Sequence, residues 1–498
     1  MKLDGSSNFQ PTSLSGSQAL LKWATLKPEA VALDCNGIRY SYQALASQVA
    51  RLLKSLKGDG LGKGRLIAYQ FVDWHENLIF QLAVEATGGV PIQITSVKSL
   101  TSDLIAHLDA IYTDEVVPFV CTARLFPACD WMAKSQALAL TQDDYEWLGK
   151  CAAADDPVYF GSTSATTGLP KYFFETKEVM NSGIAHMQAQ YFPDGVNDFI
   201  CVYALKIYAA YAGIICALNK GGTIHSTPLD GIAKLPQSMA SHHLALVLRD
   251  ARALLDSLSD ISKATSNMAS VRILGDFLPA DIRQGLEEKL CKRVINTYSS
   301  NEAGQIAEVL AEGYGKIFDQ VRVRILNNDY QVVPATVQGR IAIKSPMAVS
   351  CYLWNDRLNA AHFRDGWFIS NDLGYLTEDH KLYCVGRFDD MLVIGGIKIP
   401  PYPIERRLRQ IAGIHDAVLV ADANKLGTDK VLVCIEYTQP LEINTLNNSV
   451  CKCLYRDLQN PIVYYQASFP RTETGKIIRA SLVEKYLRHK ANAKKAEN

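Results

Sequence analysis

Apolar positions along the chain change period repeatedly, and each change marks an element. Gly37-Ile38-Arg39-Tyr40-Ser41-Tyr42 reads as a short strand with a Ser41 cap, after which Leu45, Val49, Leu52 and Leu53 keep the spacing of one helix face. Leu66-Ile67-Ala68-Tyr69 is an uninterrupted apolar run, predicted as a buried strand. A helix follows over Trp74 to Glu85, and Gly88-Gly89 turns the chain into a strand through Ile94. Strands alternating with helices predict βαβ units and a parallel sheet. The alternation resumes with a helix from Lys177 to about Gln190, the apolar stretch 199–218, the strand Val271–Leu274, a helix over 280–292 and the strand Val294–Asn296. From about residue 320 the texture changes. Val321–Leu326 and Gly339–Ile343 alternate strictly between turns, which predicts a small antiparallel barrel or sheet closed by Gly386–Asp390. Beyond it the chain has its own β/α pattern: a helix Ile404–Ile411, strands Ala417–Ala421 and Val431–Tyr437, and a last helix from Ala480 that is expected to fray from His489 onward.

Composition narrows the class. At 498 residues, 48% apolar and 20% charged, the chain suits a soluble protein of more than one domain. Fifty-one Lys and Arg balance 51 Asp and Glu, so no nucleic-acid surface is expected. The 12 cysteines are scattered without any CxxC, which argues against zinc and for reduced thiols in the cytoplasm. No apolar leader opens the sequence. Phe199–Leu218 is nearly long enough for a membrane span, but Lys206 interrupts it and Asp198 and Gly221-Gly222 bound it as they would a buried element.

Four stretches carry candidate chemistry. Ser162-Thr163-Ser164-Ala165-Thr166-Thr167-Gly168-Leu169-Pro170-Lys171 lies between two apolar runs, as the tip of a strand–loop–strand hairpin crowded with hydroxyls and backbone N–H groups. Such a tip can wrap an oligophosphate, and Lys171 supplies charge. It lacks the spacing of a Walker A loop. Tyr298-Ser299-Ser300-Asn301-Glu302 ends a strand with a carboxylate, and Glu302 with Thr167 would suffice to hold Mg²⁺ near those phosphates. Gly366–Tyr375 places Asp372 in what reads as a tight Gly-bounded turn, where it can accept both hydroxyls of a ribose. Arg387 follows the next strand and reaches the same ribose, or simply pairs with Asp372 across a hairpin. Pro470–Arg479 is a loop with Lys476 at its tip, able to neutralise charge developing between a carboxylate and an α-phosphate.

In this order the motifs Thr163–Lys171, Tyr298–Glu302, Gly366–Tyr375, Gly386–Asp390, Gly396–Glu405 and Pro470–Arg479 resemble the adenylate-forming superfamily of acyl- and aryl-CoA ligases, luciferases and peptide-synthetase adenylation domains. The resemblance runs from about Gly37 to Leu482. It implies an α/β fold with a large N-terminal domain (1–388) of parallel βαβ sheets plus a small β-barrel, and a small mobile α+β C-terminal lid (389–498) swinging about a hinge at Asp389. It also implies ATP, Mg²⁺ and CoA, or the phosphopantetheine of an acyl or peptidyl carrier protein, in a monomer or homodimer. Carried over residue by residue, Thr163, Ser164, Thr166, Thr167, Gly168 and Lys171 would bind phosphates. Tyr298 would stack on adenine, with Ser299 and Asn301 beside the nucleotide. Asp372 and Arg387 would hold ribose, and Lys476 would be the adenylation lysine. Gly395, Gly396 and Lys398 would line the thiol channel. Ala165, Ser299, Asn301, Asn371, Val393 and Pro403 depart from the family pattern, the last two in the stretch that serves thiol transfer.

For the acid, Tyr203–Gly213 has no Asp to pair with an amino group. It resembles the Lys-x-aromatic-x-x-Tyr-x-Gly pattern of benzoate-type ligases. Lys206 would attract a carboxylate and Tyr208 and Tyr211 would flank a flat ring, unless this is a core helix with aromatic packing and a snorkelling Lys. Gly275 and Asp276 fall where the superfamily lines its acyl pocket. An aryl acid passed to CoA is the favoured reading. Amino- or fatty-acid loading of a carrier protein, or a catalytically weakened nucleotide-binding relative, stay open.

Overall fold

The structure, a computed structural model, describes residues 13–150, 152–163, 170–234, 239–258, 267–275, 277–291, 293–394, 397–421, 430–437, 443–454, 458, 461–471 and 477–496. The chain divides into two compact units. The first takes the described parts of 1–163, 171–311 and 344–366; the second takes those of 164–170, 312–343 and 367–498.

The first unit holds the predicted parallel sheets. In one, Val294–Ser300, Ser270–Leu274, His242–Val247, Asp198–Cys201, Ile224–Ser226 and Val31–Cys35 run parallel in that order, flanked by antiparallel Gly304–Val309 and Ile38–Ser41. A second, all-parallel sheet orders Val90–Gln93, Leu66–Tyr69, Ala110–Tyr112 and Arg124–Phe126. Leu66–Tyr69 is buried at all four positions, as a strand covered on both faces must be. The Ser41 hydroxyl accepts the Ala44 N–H and starts the helix Tyr42–Gly58. That helix turns Leu45, Val49, Leu52 and Leu53 into the core.

The apolar stretch 199–218 is two elements rather than one helix. Asp198–Cys201 is a strand in the parallel sheet and Tyr208–Lys220 is a helix. Lys206 therefore sits in the turn between them. The helix stops at Gly221, which has φ +69°, and a Cβ there would meet the Trp23 ring at 2.6 Å. No helix among the described residues is long and apolar enough to cross a membrane.

In the second unit, Arg322–Leu326, Gly339–Lys344, Trp367–Leu376, Leu382–Arg387 and Gly315–Ile317 form an antiparallel sheet in that order. Here the expected tight turn around Asp372 is a strand: Trp367–Leu376 runs straight through it. Further on, Ile414–Ala421, Val431–Tyr437 and Ile462–Gln466 form a three-stranded sheet. Val431, Val433 and Ile435 pack on one face against Ile404, Leu408 and Leu454, while Leu432 and Cys434 pack on the other against Leu482 and Val483. The last helix is Arg479–Ala496.

Candidate functional site

The hydroxyl-rich tip is carried by a hairpin. Pro157–Thr163 and Lys171–Thr176 pair antiparallel, closing at Thr163 opposite Lys171. Ser164, Thr166, Thr167 and Gly168 lie outside the described residues, so the structure speaks to the base of this loop. At that base the Asn301 amide donates to the Ser162 carbonyl at 3.1 Å, which ties the Tyr298–Glu302 stretch to the hairpin. Tyr298 and Ser299 lie in the half-buried end of the strand Val294–Ser300, which runs four residues beyond the expected Val294–Asn296, with a bulge between them.

Glu302 has lost nearly all contact with water, and its Oε1 accepts a 2.6 Å hydrogen bond from the Tyr352 hydroxyl. Lys171 Nζ lies 5.1 Å from the centre of the same Tyr352 ring. One tyrosine thus touches both the loop lysine and the candidate metal carboxylate. It is held by a two-way bond with Asn359, whose side chain accepts the Tyr352 N–H at 2.7 Å and donates to its carbonyl at 2.8 Å. Among the described residues the Tyr352 hydroxyl donates to this carboxylate, and one carboxylate suits Mg²⁺ as a ligand. Its suggested partner Thr167 is outside the described residues.

The proposed acid pocket is built around a turn. The Lys206 N–H donates to Gln93 Oε1 at 3.0 Å, and its carbonyl accepts from the Tyr159 hydroxyl at 2.9 Å. Tyr208 opens the following helix, and its hydroxyl is hydrogen-bonded to Glu175, a buried carboxyl that desolvation pushes up to about 8. Tyr211 is fully buried, donates to Glu85 at 2.6 Å and stacks with Tyr159 at 5.9 Å, so it serves as core packing. Gly275 has φ +82° and open space on its Cβ side; Asp276 is outside the described residues.

The second unit brings together Asp372, Arg387 and Asp389. Asp372 and Arg387 stand opposite each other on paired strands, with Nη1 and Oδ1 3.9 Å apart. Arg387 Nη2 reaches Asp389 Oδ2 at 3.2 Å, and the Asn371 amide donates to that oxygen at 2.8 Å. Asn371, a departure from the family pattern, therefore tethers Asp389, the expected hinge residue, to the strand Trp367–Leu376. Beside this hairpin lies a cleft of about 260 Å³ lined by Leu326, Arg340, Leu373, Phe388 and Met391. Lys398 lies on the strand Ile397–Ile399 opposite Val393. Gly395, Gly396 and Lys476 fall outside the described residues.

A family model described as AMP-binding enzyme matches residues 20–353. The chain belongs to that family. The match takes in the hairpin, Tyr298–Glu302 and Tyr352, and ends before Asp372. Among curated relatives of this AMP-binding enzyme, VraA of Staphylococcus aureus (strain COL), a proposed long chain fatty acid-CoA ligase, is 27% identical over 356 residues, 66% of this chain and 71% of that one. The 4-coumarate–CoA ligase of Pinus taeda is 23% identical over 361 residues, 66% of this chain and 65% of that one. Solved structures match along nearly the whole length. The o-succinylbenzoate CoA synthetase MenE of Bacillus subtilis with its acyl-adenylate has a TM-score of 0.76 at 19% identity, covering 95% of this chain and 98% of that one. ATP-bound MatB of Rhodopseudomonas palustris has a TM-score of 0.77 at 19% identity, covering 95% and 99%. The adenylate-forming fold expected from the motifs is the fold found.

Tyr352, Gln93, Tyr159 and Glu175 escaped the motif reading. Each acts on a partner tens of residues away, and none stands in a polar cluster that would draw notice.

Proposed function

We propose that this AMP-binding enzyme activates a carboxylic acid, preferentially an aryl acid, as an acyl-adenylate and then passes the acyl group to the thiol of CoA in the cytoplasm. The observation that carries the reading is Tyr352, with Lys171 against its ring and Glu302 on its hydroxyl at the foot of the hydroxyl-rich loop. In the first step a carboxylate oxygen attacks the α-phosphorus of ATP and pyrophosphate leaves. In the second, the thiol attacks the acyl carbon and AMP leaves.

In this reading Thr163, Ser164, Thr166, Thr167, Gly168 and Lys171 hold the phosphates. Glu302 and Thr167 would hold Mg²⁺, which would supply charge to neutralise the phosphates. Tyr298, Ser299 and Asn301 flank the base, Asp372 and Arg387 hold the ribose, and Lys476 stabilises charge on the reacting groups. One domain pose cannot both seat Lys476 against the α-phosphate and admit a thiol past Gly395, Gly396 and Lys398. Rotation of 389–498 about Asp389 answers that conflict. The aryl preference rests on Lys206 in its pinned turn, with Tyr208 opening the next helix, and on the resemblance that assigns Gly275 and Asp276 to the acyl pocket. The naming of VraA favours a fatty acid as the second reading.

The test is carboxylate-dependent ATP–pyrophosphate exchange across benzoates, fatty acids and amino acids, with Lys476→Ala in parallel. Exchange with benzoates that the substitution abolishes is expected, followed by acyl transfer to CoA. Exchange with fatty acids alone replaces the aryl reading. Mg·ATP binding without any exchange replaces both with a nucleotide-binding role.

A further inference from the structure

The turn ahead of the helix Tyr208–Lys220 is irregular backbone, yet its polar groups are taken up by side chains from several separate elements. The Trp74 indole donates to the Tyr203 carbonyl at 3.0 Å. The Tyr203 hydroxyl donates to Asp250 at 2.8 Å and accepts the Val247 N–H at 2.8 Å. At Lys206 both backbone groups are held: Gln93, at the end of the strand Val90–Gln93, takes the N–H, and Tyr159, on the hairpin strand Pro157–Thr163, takes the carbonyl. Tyr159 is itself fixed, with its ring edge-on to Tyr208 at 5.5 Å and stacked on Tyr211. A surface lysine needs no such treatment. Backbone fixed on both sides of one residue restricts where its side chain can start from, which is how a binding group is preorganised.

We propose that Tyr159 and Gln93 are positioning residues that aim Lys206 at the substrate carboxylate, with Tyr159 linking the strand that leads into the phosphate loop to the acid subsite. The inference rests on the reading of Lys206 as the carboxylate's partner and adds the residues that act through it. Tyr159→Phe keeps the ring and deletes only the hydroxyl; Gln93→Met keeps the length and deletes the acceptor.

Kinetics of exchange with benzoate, 4-coumarate and decanoate as probe acids, using whichever is fastest, test it. Each substitution is expected to raise the apparent KM for the acid about five- to tenfold, the value of one lost hydrogen bond, with the KM for ATP and kcat within about twofold. Lys206→Met raises the acid KM further, and adding Tyr159→Phe to it has no additional effect, because the tyrosine acts through the lysine. A purely structural tyrosine gives additive losses, or shifts both KM values alike, and either result overturns the proposal. A raised acid KM in Lys206→Met with none in Tyr159→Phe and Gln93→Met overturns it alone. An unchanged acid KM in Lys206→Met, or no exchange with any probe, removes the parent reading and the positioning role with it.

Discussion

Arg479 grips Glu405 with two parallel hydrogen bonds, Nη1 to Oε1 at 2.7 Å and Nη2 to Oε2 at 3.0 Å. Glu405 is fully buried and also accepts the Leu419 N–H at 2.9 Å, so strand, helix and the start of the last helix meet on one carboxylate. Arg479 Nε lies 3.5 Å from Asp390 as well. Removing one partner strands a buried charge, which costs more than removing both. Arg479→Leu should therefore lower stability by about 3–5 kcal/mol, and Glu405→Leu added to it should restore part of the loss. Amide exchange along the strand Ile414–Ala421 reads this directly. Protection unchanged by Arg479→Leu would sink the claim.

Glu175 is 4% exposed, and its Oε2 has no hydrogen-bond partner among the described residues. Burial raises its carboxyl from 4.5 to about 8, with the Tyr208 hydrogen bond opposing only weakly. A folded-state value above the unfolded one means stability that is whole below pH 4.5 and is lost as pH rises through about 8. Glu175→Gln should match the parent protein near pH 4.5 and exceed it progressively up to pH 9, by on the order of a few kcal/mol. Denaturant midpoints across that range provide the measurement, and parallel curves for the two proteins would refute it.

What the sequence made legible follows the reach of each signal. The hairpin was readable because a hydroxyl and Gly run separates two apolar stretches, and the pairing of Thr163 with Lys171 is a local consequence. Asp372 was misplaced because Ser370-Asn371-Asp372 is polar and Gly366 and Gly374 bracket it. Gly374 marks close packing instead of a turn: a Cβ there would lie 2.5 Å from the Tyr383 carbonyl oxygen on the neighbouring strand. Lys206 was drawn into the helix because its apolar neighbours hide a turn whose bonds come from Gln93 and Tyr159. Tyr352 was silent for the same reason: its contact with Glu302 spans 50 residues and leaves no periodicity.

Acid should act through two buried histidines, His243 on a strand of the parallel sheet and His186 on the helix Lys177–Tyr191. His243 is fully buried, with its Nδ1 2.7 Å from Ser270 Oγ; burial first, and then the charges of Arg272 and Arg293, hold its imidazole well below the usual range. His186 is lowered to about 4, first by burial and then by Arg272, while a Gln305 hydrogen bond opposes the shift. For groups depressed in the folded state, stability is present above the unfolded value of 6.5 and is lost as pH falls through about 4. This limb is opposite in sign to that of Glu175, so stability should peak near pH 6. His186→Gln should flatten the acid limb by about 3 kcal/mol or less and leave the alkaline limb alone. Urea unfolding from pH 7 down to pH 4 distinguishes the two; an acid limb of unchanged slope would remove His186 from it.

Asp372 makes the sharpest demand on the nucleotide reading. Its carboxylate faces Arg387 across paired strands at 3.9 Å, and an ionised carboxylate can accept several hydrogen bonds. Two ribose hydroxyls donating to one carboxylate form charge-assisted bonds worth about 1.5–3 kcal/mol each. Asp372→Ala should then raise the KM for ATP roughly a hundredfold, about 2.7 kcal/mol, with the acid KM little changed. A stability defect produces a similar loss, so the deciding comparison is 2′-deoxy-ATP. The parent enzyme should favour ATP over the deoxy analogue about tenfold, the value of one such bond, and Asp372→Ala should treat the two alike. Arg387→Met should weaken ATP binding yet keep the preference, since the carboxylate that reads the hydroxyl is still there. Discrimination surviving in Asp372→Ala would place the ribose elsewhere.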